Sequence, residues 1–334
     1  MRFAGLLADP LDGLRPGAVV VEGGRIAAVQ PAEEAETDLT IAPGFIDLHV
    51  YAPEGIAAEG VTGYLVTARE PVEPPDGLCL GVHLEGPFLN PDAAGAIPVQ
   101  ELRPVDLALL TRWLDTGRVK LVTISPELPG ALDAVRLVAE RGAVTSVGHT
   151  LANGATTRAA IDAGARFATH LWNAMAPARA RSTGPIPELL LDERVVLGLN
   201  ADGRHLNPRT EELTVRTAGC DRIALTSDLV ARPEAADGRL LGGDRAGAAL
   251  IRRMRRFGLA EAVLMGSLVP ARVLGLSDRG RLAAGFRADL AILDGELRCV
   301  EAVAGGETVW ALRYPQPTSV DEIPPSTRAR SRRA

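Results

Sequence analysis

Through the middle of the chain, apolar residues come in short strand-like runs separated by polar stretches. Eight such runs stand at 44–50, 61–67, 78–84, 119–124, 143–147, 166–169, 195–199 and 222–226. Segments of helical character lie between most of them, among them 104–113, 132–141 and 155–163. Eight strand–helix repeats predict an α/β fold in which a (β/α)8 TIM-like barrel closes on itself, rather than an open sheet. The first repeats are compact. About ten residues separate the first two runs and about ten the next two, and the PVEPPDG stretch in the second cannot be a helix. A parallel crossover normally needs a dozen residues or more, so bare loops and a thin or open barrel wall are expected there.

The termini have a different texture. MRFAGLLA, AVVVEGG and RIAAVQ read as strands joined by turns, and the pattern returns in ADLAILDGELRCVEAVAGGETVW at 288–310. A small β-sandwich domain built from both ends, 1–42 and 278–314, is expected to flank a barrel domain at 43–277. The stretch 315–334, Pro-rich and then basic, is expected to be a disordered tail.

Composition narrows the function classes. A chain of 334 residues with 46% hydrophobic and 23% charged residues is ordinary for a globular protein, and with 4% aromatics its core falls to Leu, Val and Ala. The net charge of −6 speaks against nucleic acid as a partner. No apolar run approaches the ~20 residues of a membrane span, and MRFAGLLADPLDG lacks the apolar stretch of a secretory signal. Cys79, Cys220 and Cys299 form no CxxC pair and are expected to be buried, reduced thiols. A cytoplasmic protein with no membrane partner is the expectation.

The five histidines then change the picture. His49, His83, His149, His170 and His205 each stand at or just past the end of a strand run, accompanied by Asp47, Glu85, Asp202 and Asp228. The stretch GHTLANGATTRAAIDAGARFATHLWNAMAP (148–177) reads as strand–helix–strand, with His149 and His170 at the ends of neighbouring strands. So many titratable groups on one barrel rim point to a metal or acid–base centre.

The runs APGFIDLHV, GVHLEGPFLNPDAAGA, SVGHT, ATHLWNAMAP, ADGRHLNP and LTSD resemble, in order, the signatures of the N-acetylglucosamine-6-phosphate deacetylases of the amidohydrolase superfamily. The resemblance continues through SLVPARVLGL and GRLAAGFRADLAILD, and so covers nearly the whole chain apart from the basic tail. It implies a metal-bearing barrel with a β-sandwich from both termini, and hydrolysis of N-acetylglucosamine 6-phosphate to glucosamine 6-phosphate and acetate. It also implies that Glu85, His149 and His170 hold one divalent metal, Zn²⁺ or alternatively Fe²⁺, Co²⁺ or Mn²⁺. Asp228 resembles the family's acid–base residue. Arg181 and His205 resemble its phosphate-binding residues, with Arg179 two positions from Arg181. In the family that Arg can come from a partner subunit, which implies a homodimer. Ala96, Asn173, Ala174, Leu240, Leu241 and Gly242 resemble residues that contact the aminosugar phosphate, while His49 and His83 are expected to support the ligands by hydrogen bonding.

Two departures stand out. Where many amidohydrolases carry His-x-His on the first strand for a second metal, this chain reads His49-Val50-Tyr51, and tyrosine is a poor ligand at neutral pH. Where the family reads Gly-Ala-His-Pro, with the His holding the acyl carbonyl, this chain reads Gly95-Ala96-Ile97-Pro98. One tightly bound metal is therefore expected. Two competing readings follow from the altered acyl side: an amidohydrolase of the same fold acting on another N-acyl amine, and a non-catalytic paralogue that binds aminosugar phosphates.

Overall fold

The computed structural model describes residues 1–312, and the expected tail at 315–334 lies outside the described residues. The chain opens with three antiparallel strands, β1 (Arg2–Asp9), β2 (Gly13–Glu22) and β3 (Arg25–Pro31). A fourth, β4 (Thr40–Pro43), pairs parallel to β1. The far end of the chain joins the same sheet, with β13 (Leu290–Leu293) against β4, then β14 (Cys299–Ala304) and β15 (Glu307–Ala311). The terminal unit is thus one hydrogen-bonded seven-stranded sheet, ordered β15-β14-β13-β4-β1-β2-β3. Leu7, Val19, Ile26, Ile41, Leu290 and Ile292 lie in its own apolar cluster.

Between the two ends, eight parallel strands pair in sequence order: β5 (Phe45–Val50), β6 (Val61–Ala68), β7 (Cys79–Glu85), β8 (Val119–Ile124), β9 (Val144–Val147), β10 (Ala165–Ala168), β11 (Val196–Leu199) and β12 (Ile223–Leu225). All eight coincide with the apolar runs. The first and last strands meet through a parallel bridge between Val50 and Leu229, and the Ser227 amide donates to Asp47 Oδ1 at 3.2 Å. A buried carboxylate and an amide thus finish the ring where the ladder of strands stops.

Helices follow the later strands: α1 (Leu107–Leu114), α2 (Ala131–Glu140), α3 (Gly154–Ala163), α4 (Ile186–Leu191) and α5 (Pro208–Ala218). After β12 come α6 (Gly247–Met254), α7 (Leu259–Val263) and α8 (Val269–Val273). Asp106, Asn153 and Asn207 cap α1, α3 and α5, their side chains accepting from amides of the first turn. No helix among the described residues is long and apolar enough to cross a membrane.

The first two connections are bare, as their length requires. A single 3-10 turn (Ile56–Glu59) links β5 to β6, and 69–78 form an irregular loop. The wall is nonetheless neither thin nor open, because the terminal sheet covers it. β13 and β14 pack on β6, and Phe45, Val61 and Tyr64 share one apolar cluster with Ala291, Leu293 and Ala302. The approach is close enough that a Cβ on Gly60, at φ 74°, would sit 2.9 Å from the Cβ of Ala291. The cysteines are unpaired; Cys299 is buried, while Cys79 and Cys220 are only half-buried, more exposed than expected.

Asp9 ties the two chain ends together. Its fully buried carboxylate accepts from the amides of Leu11, Asp12 and Leu282 at 2.9, 2.9 and 2.7 Å, and from Arg281 at 3.0 Å. Burial acts to raise its pKa, but these donors together hold it below the usual carboxylate value. Asp9→Asn is expected to destabilise the protein by about 1.5–3 kcal/mol at neutral pH, measured by denaturant unfolding. Since the folded pKa is depressed, that stability is complete above the ordinary carboxylate pKa of about 4 and drains away as pH falls through the lower folded value. Unchanged unfolding midpoints at pH 7 would remove Asp9 from this role.

Candidate metal centre

The carboxyl ends of β5, β7, β9, β10 and β12 converge on one cleft. Backbone geometry at this rim is unusual. His149, His170, Trp172, Ala174 and Asp228 all have positive φ, between 32° and 84°, a region non-glycine residues enter at a cost of about 1–3 kcal/mol each. The loops hold each other in place. Thr150 donates its amide to Ala174 O, Ala176 returns one to Thr150 O, both at 2.9 Å, and Ser125 Oγ donates to His149 O at 2.6 Å.

Glu85 is the centre of the arrangement. Its Oε1 lies 3.3, 3.2 and 3.1 Å from the Nε2 atoms of His49, His149 and His170. The two Nε2 atoms of His149 and His170 are themselves 3.1 Å apart. His149 Nδ1 donates to Ala93 O at 2.8 Å, which leaves Nε2 as a bare acceptor pointing at the cluster. A bare His149 lone pair facing a carboxylate is repelled unless a proton or a cation lies between them. Glu85, His149 and His170 form a group whose ligand atoms all lie within 4.8 Å, all buried, and are chemically suited to a divalent ion with coordination positions to spare.

Around this group the other predicted residues take distinct places. His83 reaches away from the cleft: Nδ1 donates to Leu48 O at 3.0 Å and Nε2 accepts from Thr123 Oγ1 at 2.7 Å. Thr123, Thr169 and Ser146 continue this as a buried chain of hydroxyls. His49 lies 3.3 Å from Asp228 Oδ1 as well as from Glu85. His205 Nδ1 is anchored on Asp202 at 2.8 Å, and its Nε2 faces Asp228 at 4.0 Å.

The electrostatics follow from this crowding. Burial opposes charge on Glu85, but the three imidazoles outweigh it and hold its carboxyl well below the usual range. Burial raises the Asp228 carboxyl, with Glu85 adding to the rise and His49 opposing it. For His49, burial is overcome by Glu85 and Asp228, and its pKa climbs to about 9. Burial keeps His83 and His170 below the ordinary imidazole value, hence neutral.

A cleft of about 480 Å³ opens over the centre. Ala96, Asn173, Ala174, His205, Leu240 and Leu241 line it, as do Gly95 and Ile97. Gly242 does not line it; it lies beside Asp228 and Val230. Arg181 is exposed on the loop before α4 and does not reach the cleft of its own chain. Three arginines that sequence patterns did not single out do line it: Arg69, Arg204 and Arg232. Arg204 adjoins the recognised His205 and could have been noticed. Arg69 and Arg232 enter from irregular loops with no periodic signal. Tyr51 also proves to be engaged, its hydroxyl donating to Glu85 Oε2 while accepting from Arg69 Nη1. Its burial, reinforced by Glu85, keeps the phenol protonated.

The Amidohydrolase family model matches residues 56–320. The chain is 28% identical to the N-acetylglucosamine-6-phosphate deacetylase of Bacillus subtilis (strain 168), across 88% of this chain and 92% of that one. It is 30% identical to the N-acetylgalactosamine-6-phosphate deacetylase of Escherichia coli O157:H7, across 83% of this chain and 90% of that one. A solved N-acetyl-D-glucosamine-6-phosphate deacetylase from Mycobacterium smegmatis, in complex with N-acetyl-D-glucosamine 6-phosphate, matches at 30% identity with a TM-score of 0.84, covering 92% of this chain and 98% of that one.

His83 offers a test of how the rim is supported. His83→Ala leaves a cavity at a filled position, unpairs the Leu48 carbonyl and removes one of the two partners of the Thr123 hydroxyl, so a loss of about 2–4 kcal/mol is expected in equilibrium unfolding. A loss below about 0.5 kcal/mol would mean that the hydroxyl chain does not depend on it.

Proposed function

The chain belongs to the amidohydrolase family, and from that premise we propose that it is a metal-dependent deacetylase that hydrolyses the N-acetyl amide of N-acetylglucosamine 6-phosphate to glucosamine 6-phosphate and acetate. The observation that carries this reading is the convergence of Glu85 Oε1, His149 Nε2 and His170 Nε2 with Asp228 on one cleft. These three residues are the proposed holders of one divalent ion per chain, Zn²⁺ by preference for such mixed N and O donors. When bound, such an ion supplies Lewis acidity toward the attacking water and the acyl carbonyl.

Asp228 accepts the proton of the attacking water as its oxygen bonds to the acyl carbon. When the C–N bond breaks, the same carboxyl returns the proton to the departing amine. A carboxyl raised by burial, as Asp228 is, suits both halves of that exchange. His49, 3.3 Å away, holds Asp228 in place. His205, Arg204 and Arg232 line the cleft as donors and cations for the phosphate, with Asn173, Ala174 and Leu240–Leu241 around the sugar. Arg181 joins this set only from a second subunit, since it is exposed and outside the cleft of its own chain; a homodimer is therefore part of the proposal. The unpaired cysteines agree with a cytoplasmic setting.

Ile97 favours a second reading on one point. It lines the cleft at 6% exposure, at the position where the Gly-Ala-His-Pro pattern that the chain resembles carries a donor, and an apolar wall suits an acyl group larger than acetyl. The amine side carries its own ambiguity, because the Escherichia coli relative is named for the galactosamine epimer.

Release of acetate from N-acetylglucosamine 6-phosphate should exceed release from the unphosphorylated sugar by at least about 100-fold in kcat/KM, as expected for loss of a charged anchor of about 3 kcal/mol. The galactosamine epimer and longer N-acyl groups belong in the same panel. Equal rates with and without phosphate would overturn the sugar-phosphate assignment. Asp228→Asn should lower kcat by about 10³-fold or more while metal content, by elemental analysis, stays unchanged. Substantial turnover by that variant would remove Asp228 from its role.

A further inference from the structure

A second set of donors lies beside the proposed ligands. His49 Nε2 is 3.3 Å from both Glu85 Oε1 and Asp228 Oδ1, so an imidazole and two carboxylates meet there. The remaining oxygen of the shared carboxylate, Glu85 Oε2, would complete a site for a second cation. That oxygen is taken. Tyr51 donates its hydroxyl proton to it, and Arg69 donates from Nη1 to the same hydroxyl.

Arg69 is well placed to keep this contact. It stands just past the end of β6, its guanidinium carbon lies 5.2 Å from the Tyr51 ring centroid, and its Nε pairs with Glu101 at 3.4 Å. The side chain is 24% exposed and forms part of the cleft wall. A guanidinium stays charged at every pH a folded protein meets, and its planar fork holds direction better than an ammonium. Stacked on the phenol and hydrogen-bonded to its oxygen, it combines two attractions that reinforce one geometry.

We propose that Arg69 and Tyr51 form a latch on Glu85: they turn one carboxylate oxygen away from metal binding, and the fixed guanidinium replaces a second ion as the positive charge on that side of the cleft. The latch limits the protein to one divalent ion per chain. Arg69 acts through Tyr51 and is a positioning residue. This inference rests on Glu85, His149 and His170 holding an ion at all.

Metal stoichiometry tests it independently of turnover. Wild-type protein, Tyr51→Phe and Arg69→Gln are each dialysed against excess Zn²⁺ and, separately, Mn²⁺, freed of loose ions by gel filtration, and assayed for bound metal per chain. The wild type should hold one equivalent, while Tyr51→Phe, with Glu85 Oε2 released, should approach two, and Arg69→Gln, with the Tyr51 hydroxyl no longer held against that oxygen, should rise above one. Near-ultraviolet circular dichroism checks that each variant keeps its fold, and having two chemically different substitutions guards against one misfolding. Two equivalents in the wild type, or one in both folded variants, would overturn the latch. Absence of bound metal from all three would overturn the ligand assignment itself, a distinct result.

Discussion

The structure turns on one electrostatic constraint: the Glu85 carboxylate and the Nε2 atoms of His149 and His170 are held within hydrogen-bonding distance of one another, buried away from water. Nothing in an apolar barrel favours such a meeting. It persists because the scaffold over-determines it. His149 is clamped at Nδ1 by Ala93 O, its backbone oxygen is held by Ser125, and its loop is tied to that of Ala174. Left-handed backbone at His149, His170 and Asp228 puts further strain at the same rim. Positive φ gathered at His149, His170 and Asp228 is the kind of strain a preorganised site carries.

The barrel tolerates that strain because its wall is complete. Two of its connections carry no α-helix; β5 is covered by α6 and α8, and the apolar face of β6 would otherwise be left open. The sheet assembled from both chain ends takes the place of the missing helices, packing β13 and β14 against β6. Asp9 then binds the first strand to Leu282 and Arg281 in the segment that leads into β13. Closing the chain on itself in this way couples stability of the terminal sheet to the geometry of β5, whose end carries His49 and Tyr51.

Much of this was legible in the residues. Parallel barrel strands are buried on both faces, so each appears as an unbroken apolar run, and all eight were found with ends within a residue or two. Histidines at strand ends announced the rim. The i, i+2 spacing of His83 and Glu85 places them on one face of β7, yet His83 turns to Leu48 O and Thr123 rather than to the cleft. What escaped were contacts made by long side chains from irregular loops. Arg69, Arg204 and Arg232 reach the cleft by virtue of loop shape, which no periodicity encodes. Tyr51 was visible as a departure from a ligand pattern, but the hydrogen bonds that give it a task depend on Arg69, eighteen positions away in sequence. Coverage of the bare barrel wall was likewise invisible, because it requires knowing which face the terminal sheet presents.

The departures from the family pattern are not scattered. Tyr51 follows β5 and Ile97 lies in the loop after β7, while Arg69, which hydrogen-bonds Tyr51, follows β6. These are the repeats whose crossovers lack a helix, or, for Ile97, the long loop before the first one. The proposed ligands and proton carrier sit instead on β7, β9, β10 and β12, and His149 and His170 flank the helix-linked pair β9–α3–β10. A short bare connection gives few backbone anchors, so substitutions there re-aim side chains without dislodging a strand, whereas a helix packed on the wall fixes the strand end it follows. The cleft therefore has a side anchored by helix-linked strands, where the proposed metal ligands sit, and a side of bare loops facing the proposed acyl position. Differences in substrate between this chain and its relatives would be written on the bare-loop side, in Tyr51, Arg69 and Ile97, before they touched Glu85, His149 or His170.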